Sequence, residues 1–340
     1  VASMSWAEMD MESIQMAERD SSRSRNCRLW SGTVSGRWMS RFKNIAVVGA
    51  GAVGGYYGAR IAREHNVRFL MRGDLDAVKV RGLKIRSVDG DFHLDPVSCF
   101  GSTTEIGPVD LVITAVKATS NEALPRLLPP LLHESTAILT FQNGLGNEEF
   151  LAEKFPGRPV LGGLCFVCIN RGEPGVIHHL AHGKIELGDF NGFGLASEVA
   201  DLLHKSGIEC SVLPDLGLGR WRKLVWNIPF NGLSIAAGGI DVAQILADPE
   251  LLRRTKALMA EVIAVAQMDG QKIDPAFAET NLEWTRSMGP YQPSSLIDFL
   301  AGREVEVEAI WGEPLRRAES LGCKTPELKK LYLEICEKLP

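Results

Sequence analysis

Gly49-Ala50-Gly51-Ala52-Val53-Gly54 closes a strand-like run that begins at Asn44 and opens a helical stretch running to His65. This G-x-G-x-x-G spacing constrains the fold more than any other feature of the chain. The first glycine permits a tight turn and the second lets the backbone approach a pyrophosphate. The third lets the helix pack close to the strand, and the helix N-terminus faces the negative charge. Glycine-rich loops are common, so the motif takes its weight from its place at the first strand–helix junction of an alternating region. Gly49, Gly51, Ala52, Val53 and Gly54 are the candidate cofactor contacts.

The alternation continues through "VRFLMR" (67–72), "DLVITAV" (110–116) and "AILTFQN" (137–143), each strand-like. A helical segment at 120–134 lies between the last two, bent or shortened by Pro125, Pro129 and Pro130. Strands alternating with helices imply a parallel sheet covered on both faces. From 160 to 214 the chain is richer in strand, with a Gly-Glu-Pro-Gly turn at 172–175. After Pro214, three segments are helical in period and length. We therefore expect an α/β fold: a Rossmann-type dinucleotide-binding domain at 41–214, then an all-helical domain at 215–340. Residues 1–40, rich in Met, Ser and Arg, read as a disordered extension outside the fold, because "MSRFKNIAVVGAG" from position 39 looks like a natural start.

Bulk properties narrow the function classes. A formal charge of −5 gives no general attraction to nucleic acid. The longest apolar runs are far too short to cross a bilayer. Seven scattered cysteines, an odd number, argue against a complete disulfide framework and fit a reducing, cytoplasmic setting. Cys165 and Cys168 lie in an apolar strand-like run without a second pair, so they read as buried structural cysteines. His178 and His179 are adjacent, and on a strand they would point to opposite faces, so with His182 they form no evident metal site.

Two further signals concern the cofactor. An acid ending the second strand would suit the ribose of NAD, but here the strand ends in Arg72, whose guanidinium suits the 2′-phosphate of NADP. Nearby Asp74 complicates that choice. Lys117 and Asn143 each follow a strand, at the end where a doubly wound sheet opens onto its ligand crevice.

The helical half contributes the chemistry. In "KLVWNIPFN", Lys223, Asn227 and Asn231 recur every four residues and share one helix face, while their neighbours are apolar. Polar rows usually face water, but short amides among apolar flanks need partners in the protein or in a ligand. A lysine beside a reducible carbonyl can donate a proton as negative charge builds on oxygen, and partial desolvation would tune it towards neutral pH.

With "GAGAVGGYYGARIA", "LMR", "VKA", "QNGLGNEE", "RWRKLVWNIPFN" and "SSLIDFLAGREVEVEAIWGEPLRRA" in this order, the chain from Lys43 onward resembles the 2-dehydropantoate 2-reductase (ketopantoate reductase) family. The resemblance implies reduction of 2-dehydropantoate to pantoate by NADPH, on the way to pantothenate and coenzyme A. It implies Lys223 as general acid, Asn227 and Asn231 as substrate ligands, and Asn143 near nicotinamide and substrate. Arg72 and Lys117 are similar to cofactor-side residues, and Glu306 to a late glutamate reaching the site, which makes it, with Asn143, a further candidate cofactor contact. Ser294 or Ser295 matches a substrate-binding serine. A homodimer through the helical domain is implied by likeness alone. From the residues themselves, Glu304, Glu306 and Glu308 are equivalent, since "REVEVEAI" fits strand and helix alike. "SSLID" and Trp311 depart from the family pattern and leave the 2-oxo acid open. The alternatives are a reductase of another small 2-oxo or hydroxy acid, and a non-catalytic NADP-responsive sensor. A pure sensor would not need a proton donor in the cleft.

Overall fold

The computed structural model describes residues 41–339; the expected extension at 1–40 lies outside them. The described residues pack as one compact unit. Ten strands among the described residues form one sheet. They are β1 (Asn44–Val48), β2 (Asn66–Leu70), β3 (Leu83–Ser87), β4 (Phe92–Leu94), β5 (Cys99–Phe100), β6 (Leu111–Thr114), β7 (Ala137–Thr140), β8 (Val160–Arg171), β9 (Val176–Asp189) and β10 (Cys210–Val212). The order is β4-β3-β9-β8-β7-β6-β1-β2-β5, with β10 beside β9. From β5 through β8 every neighbouring pair is parallel; β8–β9 and β3–β4 are antiparallel.

The parallel core follows from residues buried on both faces. In β1, Ile45, Ala46, Val47 and Val48 are all fully buried. Ile45 and Val47 pack with Tyr56, Tyr57 and Ile61 on one side, while Ala46 and Val48 pack with Leu124 and Leu128 on the other. Each large aliphatic side chain removed from water in this way contributes about 1.5–3 kcal/mol. The helix after the glycine turn spans Ala52–Ile61, shorter than expected. The segment predicted helical at 120–134 is broken into a 3₁₀ stretch (Ala118–Ala123), one α-turn (Leu124–Leu127) and a second 3₁₀ turn (Pro129–Leu131). Each proline lacks an N–H and clashes with the preceding turn, which accounts for the breaks.

Strands end at Val212 and the chain then turns helical. The long helix Leu216–Ala236 begins at Asp215, whose carboxylate caps Leu218 N–H at 3.0 Å. It packs against Pro249–Met268, Ser294–Leu300 and Pro326–Lys338. Most of its residues are buried, so it is the core element of the helical region. No helix among the described residues is long and apolar enough to cross a membrane.

Candidate active site

β1 lies between β2 and β6, so chain order reverses direction there, and the carboxyl ends of β2, β1, β6 and β7 open onto one crevice. The residues leaving those ends are Arg72, the glycine turn, Lys117 and Asn143, four groups that the sequence assigned separately. At the turn, Gly49 has φ +98°, and a Cβ there would sit 2.6 Å from Val116 N. A Cβ on Gly54 would meet that of Ala115 at 2.9 Å, so helix and strand approach as the motif requires. By contrast, a Cβ on Gly51 would meet nothing within 4 Å. The Ala52–Ile61 helix has no side-chain cap at its N-terminus. Open space above uncapped N–H groups fits a pyrophosphate. Arg72 is exposed beside this turn, while Asp74 is ion-paired to Arg171 at 2.6 Å.

Across the crevice, Lys223 projects from the long helix towards the ends of the strands. Its Nζ donates to Asn143 Oδ1 at 3.0 Å and to the carbonyl of Cys165, in β8, at 2.8 Å. Nζ also lies 5.1 Å from the centre of the Phe166 ring. Burial of the ammonium lowers its pKa from the ordinary lysine value to about 8, opposed by Glu186 and Glu306 and assisted by the positive charge of Arg220. An ammonium has three N–H donors, so two fixed acceptors leave one to offer a ligand.

The helix is anchored one turn earlier. Arg220 and Glu148 form an ion pair, 4% and 3% exposed, and Arg220 also donates to the carbonyl of Gln142 at 2.7 Å. A buried pair of this kind holds position well, since removing one partner typically costs about 3–5 kcal/mol. It ties Lys223 to the segment carrying Asn143.

Glu306 lies in the segment before a single π-helical turn, Glu308–Gly312, which is neither the strand nor the regular helix the sequence allowed. Its Oε1 accepts from Ala118 N–H at 2.8 Å. Burial raises its pKa, while Ala118 N–H, the charge of Lys117 and a hydrogen bond from Asn143 favour the anion. Asn143 therefore joins Glu306 and Lys223 in one network. The three glutamates left open by the sequence are separated by the structure. Glu304 accepts from Thr119 at 2.7 Å, and Glu308 is exposed and bonded to Arg316 and Tyr332. Lys117 pairs with Asp298 at 2.7 Å and donates to the Glu304 carbonyl, which joins the β6 end to the helical region.

The rest of the row is unevenly placed. Asn227 is half-buried and its amide has no hydrogen bond among the described residues. Asn231 is 1% exposed, and its Oδ1 accepts from Ser295 N–H at 2.9 Å, fixing the start of the Ser294–Leu300 helix. Ser295 is buried there and Ser294 is exposed. Trp311 is fully buried and donates through Nε1 to the Ile228 carbonyl at 3.0 Å, so its indole packs the core and presents no face to a ligand.

Sequence reasoning missed the Cys165 carbonyl, Phe166, Asp298, Arg171 and the Arg220–Glu148 pair. Asp298 and Arg220 stand inside quoted motifs, but a backbone carbonyl leaves no mark in a residue pattern. Cys165 and Cys168 are free and half-buried, and Cys165 packs against the buried apolar core of the sheet. Burial pushes the Cys165 thiol up to about 12, which keeps it un-ionised. His178 is exposed and His179 buried, on opposite faces of β9.

A doubly wound sheet with a glycine turn, facing a half-buried lysine on the helical side, is an arrangement that suits an oxidoreductase using a dinucleotide. Comparison with known proteins makes this specific. The family description "Ketopantoate reductase PanE/ApbA" matches residues 45–192, and its C-terminal counterpart matches 215–338. The chain belongs to the ketopantoate reductase family. It is 40% identical over 301 residues to a 2-dehydropantoate 2-reductase of a Nostoc species, covering 86% of this chain and 94% of that one. Among solved structures it matches the 2-dehydropantoate 2-reductase of Geobacter metallireducens with TM-score 0.84 and 42% identity, over 86% of this chain and 99% of that one. The enzyme of the same name from Methylococcus capsulatus gives TM-score 0.81 and 33% identity, over 86% and 96%.

Proposed function

We propose that the protein reduces 2-dehydropantoate to pantoate with NADPH, the region 41–214 holding the cofactor and 215–340 supplying the proton donor. Lys223 carries the reading: a half-buried lysine whose ammonium is held by Asn143 Oδ1 and the Cys165 carbonyl. Bound NADPH would supply a hydride to the 2-oxo carbon, and the oxygen there would gain negative charge. Lys223 Nζ–H donates to that oxygen and then transfers its proton, so the ketone, the cofactor's hydride and one proton from the enzyme together would give the alcohol. With a pKa of about 8, the ammonium is mostly protonated at pH 7 yet gives up its proton more readily than an exposed lysine. Asn227, whose amide is unengaged, hydrogen-bonds the carboxylate or hydroxyl of the acid. Asn143 orients the ammonium, and Glu306 in turn orients Asn143. The glycine turn takes the pyrophosphate, and Arg72 the 2′-phosphate. The names of the Nostoc and Geobacter relatives support this substrate.

A panel of small 2-oxo acids assayed by oxidation of NADPH, and in parallel of NADH, tests the reading. It expects the highest kcat/KM for 2-dehydropantoate with NADPH. A preference for another acid would reassign the substrate. Tight NADPH binding without turnover of any acid would leave a sensor.

A further inference from the structure

The turn after β2, Arg72-Gly73-Asp74, holds two groups of opposite use. A cation there attracts a ribose 2′-phosphate, whereas a carboxylate repels it and suits the unphosphorylated ribose. Asp74 stands at the N-cap of the Leu75–Arg81 helix, where an aspartate ordinarily caps the helix, yet its side chain makes no capping bond. It turns instead to Arg171, the last residue of β8, with Nη2 to Oδ1 2.6 Å. The Asp74 side chain is left only 17% exposed, although Arg72 and Gly73 beside it are open. The guanidinium arrives on a fixed support. The hairpin beyond it is bonded to β3 through Lys84 N–H and the Gly175 carbonyl at 2.8 Å, and Arg81 donates to the Pro174 carbonyl.

We propose that Arg171 is a cofactor-selectivity residue. By engaging Asp74 it withdraws a carboxylate two residues along the chain from Arg72, so that the turn presents net positive charge to a 2′-phosphorylated dinucleotide. This rests on the NADP reading above. Arg171 itself acts through Asp74 and is a positioning residue. The Arg171 side chain is 53% exposed, so its replacement should leave the fold intact.

Calorimetric titration with NADP⁺ and NAD⁺ of the wild type, Arg171→Gln, Asp74→Asn and the double variant decides the matter. Arg171→Gln should weaken NADP⁺ about tenfold and leave NAD⁺ within about twofold, with the loss shrinking as salt is raised. Asp74→Asn should keep NADP⁺ affinity, and adding it to Arg171→Gln should restore the lost affinity. Unchanged NADP⁺ binding by Arg171→Gln overturns the proposal alone. So does a double variant that stays weak, because Arg171 would then act on the phosphate directly. A wild type that does not prefer NADP⁺ over NAD⁺ overturns the NADP reading and this proposal together.

Discussion

The two sides of the crevice hold charge by opposite means. At the glycine turn the groups presented are backbone N–H donors and an exposed arginine, set by a loop whose shape the motif dictates. Opposite, a single ammonium is held among apolar residues by an amide and a carbonyl, with an ion pair one turn away fixing the helix. The first arrangement is electrostatic and open to water, so salt and small changes should alter it gradually. The second depends on burial, which makes each contact strong and each loss costly. On the function proposed above, affinity for the dinucleotide belongs to the exposed side, and proton transfer to the less exposed one.

The largest expected effect separates these roles. Lys223→Ala should lower turnover about 10²–10⁴-fold, the usual range for a lost general acid, while NADPH binding measured by calorimetry stays close to wild type. Turnover near normal, or binding and turnover lost together, would break the contrast. A smaller effect is expected across the crevice. Arg72→Gln should weaken NADP⁺ about tenfold at low salt, less at high salt, with kcat at saturating cofactor nearly unchanged. If kcat fell instead, the exposed arginine would share in the chemistry.

How much of this the sequence discloses follows the same contrast. The glycine turn is legible because its demands are local: a positive φ at Gly49 and a close approach at Gly54 admit no other residue. The lysine–asparagine row is legible because helical period places it on one face. What the row does is set by long-range contacts. Asn231 and Asn227 look alike in sequence, yet Asn231 is committed to Ser295 N–H and Asn227 is not. Glu304, Glu306 and Glu308 alternate indistinguishably until a π-turn and the Ala118 N–H separate them. Likewise, Arg171 reaches Asp74 only through strand pairing over 97 residues, which no local pattern reports.

The pH dependence of kcat/KM for reduction tests most directly whether Lys223 works as a buried acid. Its folded pKa, about 8, lies below the ordinary 10.5. The ammonium is thus present below pH 8 and is lost above it, well before an exposed lysine would lose its proton. The same shift makes its burial unfavourable to folding below pH 8, and that penalty is relieved as pH rises towards 10.5. With kcat/KM reporting the free enzyme, reduction should be flat below about pH 8 and fall towards tenfold per unit above it. A profile that stays level to pH 10 would contradict the account, because an ammonium with an ordinary pKa, or none at all, would then serve the reaction equally well.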